Sequence, residues 1–485
     1  MSELTVAYFF KIVWALFLGA MLAAGFRSSW KAENGQRGIL SESRSETTVW
    51  IDPIVFPVPI AIYAVMSVTV LNREGQGLLN LIGFVSNIYL FTCIYFILLL
   101  FLLPILRKYF TARMCATLWL IPVFLFYQPQ MNVTLAVRPP AAVIYIPGGV
   151  MRAAVCVWVT GMIVIMGAQT ASHLLFAIRI KKHSRPVTEG ELTEKWEMLK
   201  EEMGLNIPIR LWYCSVIKTP FSIGMRKRNK ITCLPERSYT EEEAELIFLH
   251  ELHHIQRNDT HTKFFLKFCT ALGWFLPFIW IAVKKAEADL ELSCDEIVLK
   301  DADDHKRKKY VELLLTTAGG TIGFTTCLSA SAQSLRYRMR ATLNEKKKRI
   351  GTGLLFFIMF FSCFCVGKTA FSTDRNTVEN ILGQDSFEIT SAFYRGDFEK
   401  GEKKEITNKE ELLEYISGIR ADRLLYRYDE MLLNSNEPVI SGTDMSNSIE
   451  FNLFGKYLEV IRYETGETSL YHIVDPIDWE YMRKL

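Results

Sequence analysis

An apolar run long enough to cross a membrane lies between two groups of candidate metal ligands, and this order limits how the chain can fold. The motif "HELHH" at 250–254 precedes the run, and the segment "ELSCDE" at 291–296 follows it. The run itself, "FFLKFCTALGWFLPFIWIAV", occupies residues 264–283. If both flanks bind one metal, a single crossing is excluded because it would place them on opposite sides of the bilayer. The run must be buried, lie at the interface, or enter the membrane and return.

The composition of the run favours an embedded or interfacial helix with a break. Pro277 lies near its middle, Lys267 lies within it, and tryptophans stand at 274 and 280. A true crossing is the alternative, and it would separate the ligands. It would also place the later basic segment "EKKKRI" outside the cell, against the positive-inside rule.

The "HELHH" motif predicts a zinc site. His250 and His254 are four residues apart, so on a helix they project from one face and can bind one metal. Glu251 is placed to take a proton from a metal-bound water, whose pKa zinc lowers to about 7. We therefore expect Zn²⁺ as the cofactor and Glu251 as the general base.

A catalytic zinc needs a third protein ligand, and the downstream acidic helix can supply it. Glu291 would complete a His-His-Glu site. Asp259 and Asp295 would orient the ligand imidazoles from behind. For each aspartate, a solvated helix carboxylate is the alternative.

Apolar runs elsewhere predict a multi-pass membrane protein with the lipid bilayer as a partner. Candidate spans lie near Leu4–Phe26, Ile54–Leu71, Leu81–Leu106, Met114–Tyr127, Val150–Ile178 and Gly351–Gly367. Basic residues cluster in alternate loops, which predicts the N-terminus outside, residues 181–350 in the cytosol and the C-terminus outside. The net charge of +3 gives no reason to expect direct nucleic-acid binding.

These features divide the chain into four expected parts. Residues 1–180 form a membrane domain of about five spans, and 181–350 form a cytosolic zinc domain with the embedded run at 264–283. Residues 351–367 form the last span, and 368–485 form a small extracellular α+β domain. The expected fold class is a polytopic α-helical membrane protein with these two α+β domains.

Local patterns predict the elements around the motif. "GELTEKWEMLKEEMG" is an amphipathic helix that ends at Gly204, and "IRLWYCSVI" and "ITCLP" are short strands. "KTPFSIGMRKRN" between them is typical of a loop. Thr240 and Glu243 form a capping box at the start of the motif helix.

The C-terminal tail also has regular patterns. "TNKEELLEYISGI" predicts a helix capped by Thr407 with Glu410. "SIEFNLF", "KYLEVIRY" and "TSLYHIV" alternate as strands do, and short turns join them.

The segment from "KTPFSIGMRKRNKITCLPERSYTEEEAELIFLHELHHIQRND" to "ELSCDEIVL" resembles the BlaR/MecR family of membrane zinc metallopeptidases, which are β-lactam sensors and antirepressors. "CLSASAQSLRYRMRATL" is similar to the juxtamembrane segment of that family. The resemblance implies a gluzincin-like cytosolic domain, with His250, His254 and Glu291 as zinc ligands and Glu251 as base. It also implies self-cleavage after an outside signal and loss of a transcriptional repressor.

One part departs from the family pattern. The tail is too short for the penicillin-binding sensor domain, and none of its serines has a lysine three residues later. We therefore expect no acylation by β-lactams. The tail would bind another extracellular ligand or partner, or only stabilise the fold.

The expected function is a membrane zinc endopeptidase in transmembrane signalling, which cleaves itself, a cytosolic protein, or both. The family suggests a transcriptional repressor as that protein. Residues 318–345 are either a self-cleavage linker or an ordinary juxtamembrane linker. Two further readings stay open: a non-enzymatic receptor with a structural zinc site, and a housekeeping membrane protease. The sequence also leaves a homodimer open.

Overall fold

The fold combines long apolar helices, a mixed domain around the "HELHH" motif and a C-terminal sheet domain. The computed structural model describes residues 3–34, 76–122, 142–188, 190–316, 326–327, 332–343, 348–365, 369–383, 387–396, 403–425, 438–444 and 448–485. The predicted span Ile54–Leu71 lies outside these residues. The bounds that follow refer to the described part of the chain.

The helices follow the apolar and amphipathic patterns of the sequence. They are α1 Glu3–Glu33, α2 Gln76–Tyr109, α3 Ala112–Leu118, α4 Gly148–Lys182, α5 Glu191–Glu202, α6 Glu241–Arg257, α7 Asp259–Leu272, α8 Pro277–Val298, α9 Asp304–Thr316, α10 Ala332–Leu343, α11 Thr352–Cys365, α12 Val378–Leu382, α13 Lys409–Ser417 and α14 Trp479–Lys484.

Two sheets accompany these helices. Their strands are β1 Ala142–Tyr145, β2 Ser184–Pro186, β3 Ile209–Cys214, β4 Phe221–Ile223, β5 Lys230–Pro235, β6 Thr326–Cys327, β7 Thr369–Thr377, β8 Ser391–Arg395, β9 Lys403–Glu405, β10 Arg420–Leu424, β11 Val439–Asp444, β12 Ile449–Phe454, β13 Tyr457–Arg462 and β14 Glu467–Ile473.

Three described helices are long and apolar enough to cross a membrane. They contain the segments Phe9–Glu33, Tyr89–Tyr109 and Gly148–Lys182, and α11 is a shorter apolar helix. Helices are thus confirmed at the first, third, fifth and last predicted spans. The fourth differs: α3 has only seven residues, all buried, and the residues after 122 lie outside the described part. The seven-residue helix is too short to cross by itself.

The apolar run at 264–283 folds as a helical hairpin. Helix α7 ends at Leu272 and α8 starts at Pro277, whose fixed φ suits the first turn of a helix. The two helices pack against each other, so the run turns back. The predicted break near Pro277 is confirmed, and both flanks of the run lie at the same end of the hairpin.

The tip of the hairpin lies against α4. The Trp158 indole of α4 donates to the Leu272 carbonyl at 2.6 Å, and the Trp274 indole donates to the Trp158 carbonyl at 3.3 Å. Gly161 faces the same ring, and a Cβ atom there would lie 2.2 Å from Trp274. Close packing of the hairpin therefore requires glycine at 161.

The domain that carries the motif, residues 184–343, has a five-stranded sheet in the order β2-β3-β5-β4-β6. The predicted strands at β3 and β5 are confirmed. The prediction of a loop for "KTPFSIGMRKRN" is wrong at its centre, because β4 pairs there with β5. Strand β6 then pairs antiparallel with β4, matching Phe221 with Cys327 and Ser222 with Thr326.

The C-terminal domain has a nine-stranded sheet, and one of its strands comes from the first half of the chain. Strand β1 pairs in parallel with β7, which follows α11. Because β1 directly precedes α4, the start of α4 and the end of α11 lie at the same end of the helices. The sequence patterns predicted β12, β13 and β14, and these are confirmed.

The predicted cap of α13 is wrong. The helix begins after Asn408 rather than after Thr407, and no side chain caps its first turn. Thr407 instead contacts the chain terminus, where its hydroxyl lies 3.5 Å from the Leu485 carbonyl. Thr407 lies one residue before Asn408 and is therefore too early in the chain to cap the helix.

The hairpin packing gives a test with a matched pair of glycines in α4. Gly161→Ala should lower the free energy of unfolding by about 1–3 kcal/mol, because the new methyl group displaces Trp274. Gly167→Ala should be neutral or stabilising by up to about 1 kcal/mol, because nothing lies within 4 Å and alanine favours a helix. Thermal unfolding of the detergent-purified variants measures both, and equal melting temperatures would contradict this hairpin packing.

Candidate metal centre

Helix α6 carries the histidine motif, and its start is fixed locally. Thr240 and Glu243 form the predicted capping box, and three glutamates in the first turn offset the positive end of the helix dipole. The helix ends at Asn258, whose φ of 54° lies in the left-handed region. The Asn258 turn directs α7 away from α6 into the hairpin.

The three predicted ligands come together in this fold. The Nε2 atoms of His250 and His254 lie 3.1 Å apart. Glu291 Oε2 lies 3.5 Å from His250 Nε2 and 3.7 Å from His254 Nε2. All three side chains are buried. The hairpin thus returns Glu291 to the motif across the apolar run.

The donor set fits a zinc ion. Ligand atoms about 2.1 Å from one tetrahedral ion lie about 3.4 Å apart, close to the observed separations. Glu291 Oε2 also accepts no hydrogen bond within the described residues, so an acceptor aimed at both imidazoles is left for a cation. Two histidines and a glutamate leave one coordination position open, as in catalytic zinc sites.

The two histidines differ in their surroundings. Burial lowers the pKa of His250 to about 4, so this imidazole is neutral at pH 7 and can act as a ligand. Burial acts in the same direction at His254, but the neighbouring Cys294, Glu291 and Asp259 outweigh it and raise the pKa of His254 well above its ordinary value. A proton on His254 must leave before a cation binds.

The predicted partner of His254 is in place. Asp259 Oδ2 accepts from His254 Nδ1 at 2.7 Å, and both groups are buried. This contact fixes the tautomer that turns Nε2 towards the other ligands. Cys294 Sγ lies 3.4 Å from the same Nδ1 atom and forms a second cluster with His254 and Asp259. Since that cluster uses Nδ1, it serves better to orient His254 than to bind a separate metal.

The predicted role of Asp295 is altered by a tyrosine. Its Oδ1 atom lies 3.4 Å from His250 Nδ1, but Tyr310 makes the hydrogen bonds. The Tyr310 hydroxyl accepts from His250 Nδ1 at 2.9 Å and donates to Asp295 Oδ1 at 2.5 Å. Asp295 therefore orients the ligand through Tyr310, and solvated carboxylates are excluded at both 259 and 295 because both are buried.

Glu251 has a hydrogen-bond partner on the sheet. The Ser222 hydroxyl on β4 donates to Glu251 Oε2 at 2.7 Å and lies 2.9 Å from the Thr232 hydroxyl on β5. Glu251 is fully buried. The sheet therefore holds one oxygen of the Glu251 carboxylate through Ser222.

Sequence reasoning missed Ser222, Lys263, Tyr310 and Arg338. The Lys263 ammonium donates to Glu291 Oε1 at 2.9 Å, and Arg338 lies 3.4 Å from Glu291 Oε2. Burial by itself would raise the pKa of Glu291. The positive charges of Lys263 and His254 have the larger effect and hold this pKa well below the usual range. No spacing pattern marks these partners, since they lie on four separate elements.

Part of the chain matches a known protein family. Residues 142–341 match the family described as BlaR1 peptidase M56. Regulatory protein BlaR1 of Bacillus licheniformis is 30% identical over 182 residues, which is 38% of this chain and 30% of the relative. Methicillin resistance mecR1 proteins of Staphylococcus aureus and Staphylococcus epidermidis are 30% identical over 109 residues, which is 22% of this chain and 18% of each relative.

The matched region belongs to the BlaR/MecR-type family of membrane metallopeptidases, which confirms the resemblance drawn from the sequence. The apolar helices agree with a membrane protein that carries a peptidase domain. The chain aligns with less than a third of the length of these relatives, and the match to mecR1 is shorter still. The C-terminal domain, from Thr369 onwards, lies beyond the matched family region.

Zinc content tests whether His254 and Glu291 bind the same ion. Purified wild-type protein should hold about one zinc, and His254→Ala and Glu291→Ala should each lose most of it, because each removes a ligand. His305→Ala and Glu312→Ala are matched controls on the exposed surface of α9 and should keep it. Zinc content is measured by elemental analysis. If Glu291→Ala keeps its zinc, Glu291 at the base of the α7–α8 hairpin is not a ligand.

Proposed function

We propose that this BlaR/MecR-type chain is an integral-membrane zinc endopeptidase that cleaves itself during transmembrane signalling. Strand pairing at the sheet edge is the main support for self-cleavage. Strand β6, from the predicted self-cleavage linker, pairs with β4, and β4 also carries the serine that holds Glu251. Two linker residues, Thr326 and Cys327, thus pair with the strand whose Ser222 holds Glu251.

An extended peptide added to a sheet edge is a common way to hold a peptide. The β4 edge pairs in this way with two linker residues, Cys327 opposite Phe221 and Thr326 opposite Ser222. This pairing favours a cleavage linker over an ordinary juxtamembrane linker. A cytosolic protein segment would take the same edge once the linker has left, and the resemblance to the BlaR/MecR family favours a transcriptional repressor as that protein.

His250, His254 and Glu291 would hold zinc, which supplies a Lewis acid for the attacking water and the peptide carbonyl. Glu251 takes a proton from the water and passes it to the leaving amine. Ser222 holds one oxygen of Glu251 at 2.7 Å and so keeps the carboxylate in place. Asp259 and Tyr310 keep the two ligand imidazoles in the tautomer that the site requires.

The orientation in the membrane is also a proposal. The N-terminus lies outside, the peptidase domain faces the cytosol and the C-terminal domain lies outside. The parallel pairing of β1 with β7 supports this topology, because the start of α4 and the end of α11 must then share one side. The basic residues Arg107, Lys108, Lys181 and Lys182 lie at the opposite, inner ends of α2 and α4.

Replacement of Glu251, the expected base, should stop cleavage without loss of the metal. Glu251→Gln should keep its zinc, because Glu251 is not a ligand, and should slow self-cleavage roughly 10²- to 10⁴-fold. Glu242→Gln, an exposed change on the first turn of the same helix, should cleave like the wild type. Fragments are followed by immunoblotting with tags at both termini. Identical fragment patterns in wild type and Glu251→Gln would contradict the enzyme proposal and favour a receptor with a structural zinc.

Deletion of the C-terminal domain distinguishes a sensor from a housekeeping protease. Strand β1 joins the C-terminal sheet to α4, and α4 leads directly into β2 of the peptidase domain. Deletion of residues 369–485 should therefore change the self-cleavage rate by about fivefold or more, in the range of ordinary allosteric coupling. Zinc content serves as the control for an intact site. If the self-cleavage rate and the zinc content both stay unchanged, a housekeeping protease is favoured.

A further inference from the structure

Helix α10 places a fully buried cation among the metal-ligand residues. Arg338 is 0% exposed, although it belongs to the helix that precedes the last apolar helix. Its Nε and NH2 groups donate to the two oxygens of Asp295 at 2.7 and 2.6 Å. Its NH1 group lies 3.4 Å from Glu291 Oε2, the atom that faces both imidazoles.

Two paths lead from Arg338 to the ligands. One is the direct approach to Glu291. The other passes through Asp295 Oδ1, which also accepts from Tyr310, and Tyr310 accepts from His250. One side chain of α10 thus contacts the carboxylate ligand and the residue that orients a histidine ligand.

The guanidinium suits this position for a physical reason. A planar fork can donate to both oxygens of Asp295 and still direct a third nitrogen to Glu291, whereas an ammonium group has one centre. Removal of a partner from a buried ion pair leaves an uncompensated charge, which is costly. Without Arg338, Asp295 would keep the hydrogen bond from Tyr310 but lose both bonds from the guanidinium. Glu291 would keep Lys263 but lose the positive charge beside Oε2.

The juxtamembrane segment contacts α8 a second time beside this position. The Lys348 ammonium donates to Glu296 Oε1 at 2.6 Å, one residue beyond Asp295. Arg349 then exchanges backbone hydrogen bonds with Tyr109 and Thr111, just before α11 begins. The residues just before α11 thus contact α8 at Glu296, next to the Asp295 that Arg338 holds.

We propose that Arg338 is a positioning residue that orients Glu291 and Asp295, so that the zinc site is complete only while α10 is docked. This inference rests on the proposed peptidase function, because it assigns the regulation of that same site. It makes α10 the element through which the last span controls the metal centre. A shift of α10 withdraws the guanidinium and weakens the site without any change in the ligands themselves.

The test compares zinc retention in detergent-purified full-length variants. Arg338→Gln should need roughly 10- to 100-fold less chelator for half-loss of zinc, the usual effect of losing a group that orients a ligand. Arg338→Lys keeps the charge but not the fork, so it should fall between Arg338→Gln and wild type. Arg336→Gln removes the same charge from the exposed face of α10 and should match the wild type.

Melting temperatures of the metal-free proteins separate positioning from folding. If Arg338→Lys melts like the wild type yet loses zinc more readily, the positioning role is supported. If both Arg338 variants hold zinc like the wild type, or weaken only in proportion to a lost fold, the inference is overturned. A wild-type protein that binds zinc but never cleaves itself would instead overturn the proposed function. The zinc retention of the Arg338 variants would still test the positioning role.

Discussion

Glu291 is the buried carboxylate on which the arrangement of the site depends. It lies at the base of the α7–α8 hairpin, and the apolar run folds back to bring it to His250 and His254. A buried carboxylate loses several kcal/mol of hydration, and paired cations must offset that loss. Lys263 from α7 and Arg338 from α10 supply them. The hairpin, the motif helix and the juxtamembrane helix therefore meet at one group.

A second charged cluster joins the first apolar helix to the same site. Glu33, at the end of α1, accepts from Arg257 of the motif helix at 2.8 Å and lies 2.6 Å from Arg113 of α3. Arg257 also donates to the Ser293 hydroxyl on α8 at 2.6 Å. Helix α1 in turn packs along α11. The motif helix α6 thus contacts the first apolar helix, which itself packs along the last one.

The sequence predicts those parts of the site that depend on local spacing. The motif at 250–254, the capping box at Thr240 and the return of Glu291 all follow from helical periodicity and from the order of apolar and acidic segments. Asp259 was predictable because it lies five residues from His254 and can reach its ring. The apolar helices and the last three strands were also predictable, because they follow from local patterns of apolar and polar residues.

Contacts between distant segments were not predictable from one sequence. Tyr310 lies 60 residues from His250, and β1 pairs with a strand more than 200 residues later. Strand β4 is only three residues long, so it carries no alternation to identify it. The start of α13 after Asn408 was missed because Thr407 and Asn408 are both residues typical of a helix start, and the sequence does not distinguish between them.

X-ray absorption at the zinc edge of the purified full-length protein would identify the atoms that bind the ion. We expect two imidazole ligands and further oxygen ligands at about 2.0–2.2 Å, with no sulfur. This spectrum would mean that one ion joins the motif helix to the returning hairpin through His250, His254 and Glu291. A sulfur ligand at about 2.3 Å would place the metal on the Cys294 side of His254, and a spectrum without imidazole would remove the motif from the site; either result would contradict the account.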